Sequence, residues 1–198
     1  MPSIFIRFIG FVPSIIITIG LVLSKNYIYC MPASQTSISA IGQDSHRFEP
    51  DGSPKPLVLG GVAVSGAPGL AGNSDADVIL HALTNAVSGI SGVNILGEVS
   101  DGLCLNQGVT DSRAYLQKAL ETLAPGKWVL THASISVEAK RPRLSGVIPD
   151  IKRSVAALLS LPEASVGLTA TTGEGLTSFG RGEGMQAFAM VSAVREVS

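Results

Sequence analysis

The sequence predicts an α/β (α+β) fold, a mixed β-sheet with helices packed on one face, and two observations predict it. Past Met31, strand-like runs alternate with runs of helical periodicity. A chain of 198 residues with 45% hydrophobic and 15% charged residues holds one substantial core, and no second full domain is expected.

Residues 1–30 read as a hydrophobic leader. Residues 8–24 are uncharged and mostly apolar, flanked by Arg7 and Lys25, near the lower limit for a membrane span and long for a signal-peptide core. Gly10, Pro13 and Gly20 weaken a simple helix, and NYIYC offers bulky residues where a cleavage site wants small ones. The expectation is that Met31 is the working start, or that the leader is removed; an uncleaved anchor is the alternative. Residues 31–40, with several Ser and Thr, are expected as a flexible lead into a domain at 41–198.

Within that domain a strand is expected at 42–48 and another at 57–64, ended by SGAPG. Ile79, Leu83, Ala86, Val87 and Ile90 mark one face of a helix starting near Ser74, the expected N-cap, with Asp75 and Asp77 in its first turn. Residues 91–110 read as the longest loop. Leu116, Ala119, Leu120 and Leu123 mark a helix over 111–123, and Ile148, Ile151, Val155, Leu158 and Leu159 mark a third beginning near Pro149. Strands are expected at 128–138, 165–171 and 185–194.

Composition narrows the function. A net charge of −1, with Lys140, Arg141 and Arg143 as the only tight basic cluster, argues against nucleic acid as a partner. Cys30 and Cys104 are too few for a disulfide framework and lack thiolate-site spacing, which fits a reducing, cytoplasmic setting without functional membrane association. Alternate strand residues share a face, so Asp44 and His46 project to one point, and Asp77 and His81, four apart, share a helix face. Two imidazoles and a carboxylate with an open position suit a catalytic zinc. Spacing alone leaves equally open one exposed strand pair and an unrelated helix histidine.

Five strings, DSHRFEP, LVLGGV, SDADVILHAL, TDSR at 110–113 and ATTGEGLTSFGRGEG at 170–184, follow one another in a recognisable order. On them, over residues 41–197, the chain resembles the 2-C-methyl-D-erythritol 2,4-cyclodiphosphate synthase family of the non-mevalonate isoprenoid pathway. The resemblance implies a metal-dependent intramolecular phosphoryl transfer. The 2-phosphate of 4-diphosphocytidyl-2-C-methyl-D-erythritol 2-phosphate attacks the β-phosphorus and expels CMP. In-line positioning and charge neutralisation accelerate such a step without a strong general base.

It also implies ligands. Asp44, His46 and His81 would hold Zn2+ or another divalent transition metal, and Glu174 would tie Mg2+ or Mn2+ to the diphosphate. Thr171 and Thr172 match diphosphate-binding residues, and Ala139, Pro142 and Arg143 match the cytidine pocket, with Arg143 a charge-assisted donor to phosphate. Arg181 matches an arginine near a trimer axis. Asn73, Ser74, Thr172 and Glu174 form the implied catalytic set. The family is a homotrimer whose sites combine metal ligands of one chain with a neighbour's cytidine pocket. Read without the resemblance, Glu174 is a solvated loop residue, the threonines are strand-end hydroxyls, and KRPR is a solvated strand end.

The chain departs from the family pattern in places. Asn73 stands where most members have a substrate-contacting histidine, so that contact is uncharged, while Ser74 is retained. Asn94 stands at the place of an aspartate, and Asp101 is the best match to a second methylerythritol-contacting aspartate. A divergent, active enzyme is expected; the alternative is a catalytically silent, zinc-stabilised trimeric binding or scaffold protein. GEGMQA fits the dinucleotide string G-x-G-x-x-A but precedes a strand-like run. His132 needs no special role.

Overall fold

The computed structural model describes residues 7–12, 15–24, 27–31 and 35–197. They fall into two units, Ile38–Val194 on one hand and Met1–Ser37 with Arg195–Ser198 on the other. In the second, β1 (Arg7–Val12), β2 (Ile15–Ser24) and β3 (Tyr27–Met31) make an antiparallel sheet, with Phe11 opposite Ile16 and Leu21 opposite Cys30. The apolar run at 8–24 therefore holds β-branched strands. Among the described residues no helix is long and apolar enough to cross a membrane. The rest of the expected leader lies outside the described residues.

After these come β4 (Gln35–Arg47), β5 (Leu57–Leu59), β6 (Val62–Val64) and α1 (Val78–Ser91). Next are the short α2 (Glu98–Asp101), a π-helical turn (Gly102–Asn106) and α3 (Ser112–Glu121). β7 (Val129–Glu138), α4 (Ile148–Leu158), β8 (Val166–Thr171), the single turn α5 (Ser178–Arg181) and β9 (Gly184–Glu196) complete the chain. The main sheet runs β4-β9-β7-β8 and is mixed, since β7 is antiparallel to β9 and parallel to β8. Ala133, Ile135 and Val137 of β7 and Ala187, Ala189 and Val191 of β9 are buried with the helices. On the opposite face Ser134 lies across from Met190 and Ser136 from Phe188, and both apolar side chains are 43% exposed.

Four expectations are corrected. Residues 35–40 are the first half of β4, not a flexible lead: β4 neighbours β9 in the sheet, and Ser39 Oγ lies 2.8 Å from Ser192 Oγ. The run at 57–64 is a hairpin: Gly60 (φ 60) and Gly61 (φ 78) adopt the left-handed conformation of a tight two-residue turn, pairing Leu59 with Val62. α1 begins at Val78 with Asp77 as its N-cap, because Ala76 (φ 56) interrupts any earlier helix. Ser74 instead accepts the Ala76 N–H at 3.1 Å in a preceding turn. Residues 91–110 carry α2 and the π-helical turn, pinned because buried Ile95 and partly buried Leu96 and Leu103 pack against the core.

One close approach sets up the site. A Cβ on Gly42 would lie 2.1 Å from the Ala82 oxygen and 2.3 Å from the Ala86 nitrogen. Only glycine lets β4 cross α1 in backbone contact. That crossing brings Asp44 and His46 to His81, the neighbour of Ala82.

Candidate metal centre

Asp44 and His46 project from the same face of β4, and His81 comes from the first turn of α1. Asp44 Oδ2 lies 2.9 Å from His46 Nε2 and 3.0 Å from His81 Nδ1, and the two ring nitrogens are 3.2 Å apart. Ligands about 2.0 Å from a zinc at tetrahedral angles stand about 3.3 Å from one another. The triangle is thus slightly tighter than a loaded site needs.

The second nitrogen of each ring fixes its tautomer. His46 Nδ1 is 2.8 Å from the Ala71 carbonyl oxygen, which only accepts, so Nδ1 carries the proton and Nε2 a lone pair. Ser112 Oγ makes a short hydrogen bond to the Asp75 carboxylate and lies 2.8 Å from His81 Nε2. The hydroxyl donates to the carboxylate and accepts from His81 Nε2–H, leaving a lone pair on His81 Nδ1. Three acceptor atoms therefore face one another, an arrangement that demands a cation between them. A divalent metal meets the demand, and a proton meets it less completely. Burial alone would lower the His46 pKa and raise that of Asp44, but their mutual attraction outweighs it. His46 is raised above its ordinary value and Asp44 is held down to about 2.

Asp77, placed by spacing on the His81 face, does not join this cluster. As N-cap it is fully buried and accepts from Ile79, Leu80, Gly60 and Gly61 N–H at 3.1, 3.0, 2.8 and 2.6 Å, locking α1 to the β5-β6 turn. Burial pushes its carboxyl up to about 6, against the pull of those backbone donors.

A cleft of about 260 Å3 opens beside the triad, walled by His46, His81, Asn73, Ser74, Asp101 and Cys104. Three residues predicted to meet substrate thus line the same space as two predicted ligands. The other predicted residues gather at the C-terminal ends of β7 and β8, which are parallel neighbours. Ala139 donates its N–H to the Thr171 oxygen at 3.0 Å, Pro142 is buried behind a cis bond to Arg141, and Arg143 is exposed. Thr171 Oγ1 accepts the Gly173 N–H at 3.2 Å, a backbone role, while Thr172 and Glu174 are exposed in the turn that follows. Arg181 is engaged locally, donating to Glu183 at 3.1 Å and to Ser178 at 2.9 Å. GEGMQA leads straight into β9, so no strand-turn-helix phosphate site exists there.

Sequence reasoning missed the residues behind the ligands. Ser112 lies in the TDSR string, 31 positions from His81, and no local pattern ties the two. In the sequence Asp75 has the look of a first-turn helix charge, and the Ala71 carbonyl carries no side-chain signal at all.

Comparison with known proteins fits this geometry. The 2-C-methyl-D-erythritol 2,4-cyclodiphosphate synthase of Chlamydia trachomatis (serovar L2b) is 45% identical over 152 residues, 77% of this chain and 85% of the relative. A solved 2C-methyl-D-erythritol-2,4-cyclodiphosphate synthase in a CDP-bound form aligns with a TM-score of 0.66 at 30% identity, covering 79% of this chain and 99% of that one. The bifunctional IspDF from Campylobacter jejuni aligns with a TM-score of 0.74 at 30% identity over 84% of this chain, which spans only 44% of that larger protein. The sequence profile of the YgbB family matches residues 38–194, from near the start of β4 to near the end of β9 and across every ligand of the triad, and the chain belongs to that family.

Proposed function

We propose that this chain is a phosphorus-oxygen lyase that converts 4-diphosphocytidyl-2-C-methyl-D-erythritol 2-phosphate into 2-C-methyl-D-erythritol 2,4-cyclodiphosphate with release of CMP. The observation that carries the reading is the convergence of lone pairs from Asp44 Oδ2, His46 Nε2 and His81 Nδ1 on the wall of a cleft shared with Asn73, Ser74 and Asp101. The identity of 45% to a relative bearing that enzyme's name supports the choice of reaction.

The bond formed joins a 2-phosphate oxygen to the β-phosphorus, and the bond broken frees CMP. A divalent cation on the triad, zinc in our reading, supplies Lewis acidity toward a phosphate oxygen when bound. Ser74 and Asn73 donate hydrogen bonds to phosphate, Asn73 without charge. Asp101 accepts from a methylerythritol hydroxyl. Arg143 offers charge-assisted donors to the diphosphate, Ala139 and Pro142 shape the cytosine pocket, and Thr171 and Thr172 hold the diphosphate. Glu174, exposed and left-handed (φ 50), is free to anchor a hydrated Mg2+ or Mn2+.

The working assembly in this reading is a homotrimer in the cytoplasm. The uncovered sheet face, with Phe188 and Met190 exposed, suits burial against copies of the chain. Incubation with the substrate and Mg2+, followed by 31P NMR, tests the function. CMP and the cyclic diphosphate should appear and should vanish with chelator. A folded, metal-loaded protein that releases no CMP would favour the silent scaffold.

A further inference from the structure

Of the two imidazoles in the metal centre, among the described residues only His81 has a hydrogen-bonded route to a carboxylate on the side away from the triad. His46 is backed by the neutral carbonyl of Ala71, whereas His81 is backed by a hydroxyl that leans on a carboxylate. That chain of contacts runs from a half-buried carboxylate to a buried hydroxyl and is heavily specified. Ser112 is 0% exposed and is the first residue of α3, and Asp75 precedes α1. Asp75 Oδ2 accepts the Ser112 backbone N–H at 3.1 Å, while its Oδ1 takes the Ser112 hydroxyl and the Asp77 N–H at 3.2 Å. The Asp75 N–H in turn donates to the Thr110 oxygen at 2.8 Å, so the carboxylate is held on both sides.

We propose that Asp75 and Ser112 are positioning residues that set the affinity of the centre for its metal by committing His81 to the tautomer with a free Nδ1. The proposal rests on the metal-site reading above and goes one layer outward from it. A carboxylate acts only as an acceptor, so the Ser112 proton points at Asp75 and cannot point at His81. The oxygen lone pair is then the only partner offered to His81 Nε2, which must carry the ring proton. Were the hydroxyl reversed, the proton would move to Nδ1 and the metal ligand would be lost. Outer-shell partners of this kind typically change metal affinity by about 10- to 100-fold.

A purely structural tie between α1 and α3 would behave differently, and the geometry separates the two roles. Ser112→Ala keeps the backbone N–H bond to Asp75 and removes only the hydroxyl. The test is zinc affinity of the purified full chain by competition with a chromophoric chelator, with the visible spectrum of the Co2+ form and thermal unfolding of the metal-free form as companion readouts. We expect Ser112→Ala to weaken zinc binding by about 10- to 100-fold, to alter the Co2+ ligand-field bands, and to leave metal-free unfolding nearly unchanged; Ser112→Thr should restore affinity. If Ser112→Ala does not fold, the isosteric Asp75→Asn carries the same comparison, with at least a tenfold loss expected. A folded variant of either kind that binds zinc within threefold of the wild type overturns the proposal. A wild type that binds no metal instead overturns the metal centre itself, so the two failures are distinguishable.

Discussion

Replacing Asp77 with alanine isolates the joint that fixes α1, and with it His81, to the β5-β6 turn. The carboxylate is fully buried and satisfies four backbone donors, those of Ile79 and Leu80 at the helix start and Gly60 and Gly61 in the turn. Loss of the cap costs about 1 kcal/mol. Orphaning the two turn donors costs about 1–3 kcal/mol each. Relief from burying a carboxylate returns part of this, because burial already pushes Asp77 up to about 6. A net loss of about 2–4 kcal/mol remains, a large share of the roughly 5–15 kcal/mol of a typical domain. With a urea slope of about 2 kcal/mol/M the midpoint should fall by about 1–2 M. The pH dependence has a definite sign. The folded state favours protonated Asp77, so its contribution is greatest below the unfolded value of 3.8 and is lost as pH rises through about 6. The stability of wild type relative to Asp77→Asn should therefore shrink over that window. A urea midpoint that moves by less than about 0.3 M in the alanine variant would refute the reasoning.

Further outcomes are expected from other parts of the molecule. Gly42→Ala, whose Cβ would sit 2.1 Å from the Ala82 oxygen, should push β4 off α1 and abolish stoichiometric metal binding, measured by elemental analysis. His46→Ala should likewise lose its metal while the protein stays folded; metal content equal to wild type would sink the ligand assignment. In the metal-free protein the Asp44–His46 pair contributes stability above pH 3.8, lost as Asp44 protonates toward about 2, and below pH 6.5, lost as His46 deprotonates above its raised value. The melting-temperature difference between wild type and Asp44→Asn should thus be largest between those limits. Phe188→Glu, on the exposed sheet face, should turn the proposed homotrimer into monomers in sedimentation velocity, and an assembly state equal to that of the wild type would argue against this face as the interface.

Much of the fold was legible because its periodicities are strong. The alternation of Ala133, Ile135 and Val137, and of Ala187, Ala189 and Val191, marks strands with one buried face. Boundaries failed where a backbone conformation, not a pattern, decides. Gly60 and Gly61 fold an apparently continuous strand back on itself, and Ala76 in the left-handed region delays α1 until Asp77 caps it. In residues 91–110 the polar and glycine content reads as loop, yet a few apolar side chains are enough to hold two short helical turns on the core.

The site divides along the same line. Ligand types and their i, i+2 placement on β4 are visible in Asp44 and His46, because a strand fixes which side chains share a face. Which atoms of those ligands bind a metal is not visible, because the answer lies in partners far away in sequence. Ala71, Ser112 and Asp75 decide where the ring protons sit, and Gly42 decides whether β4 comes near His81 at all. A metal centre of this kind is specified by two contributions. The ligands determine what is bound, and the residues one layer behind them determine whether three electron pairs face the same point. Only the first is written as a local motif. The second is a property of where β4, α1 and α3 meet, and a change in any of those contacts would weaken the centre while leaving the Asp-x-His string intact.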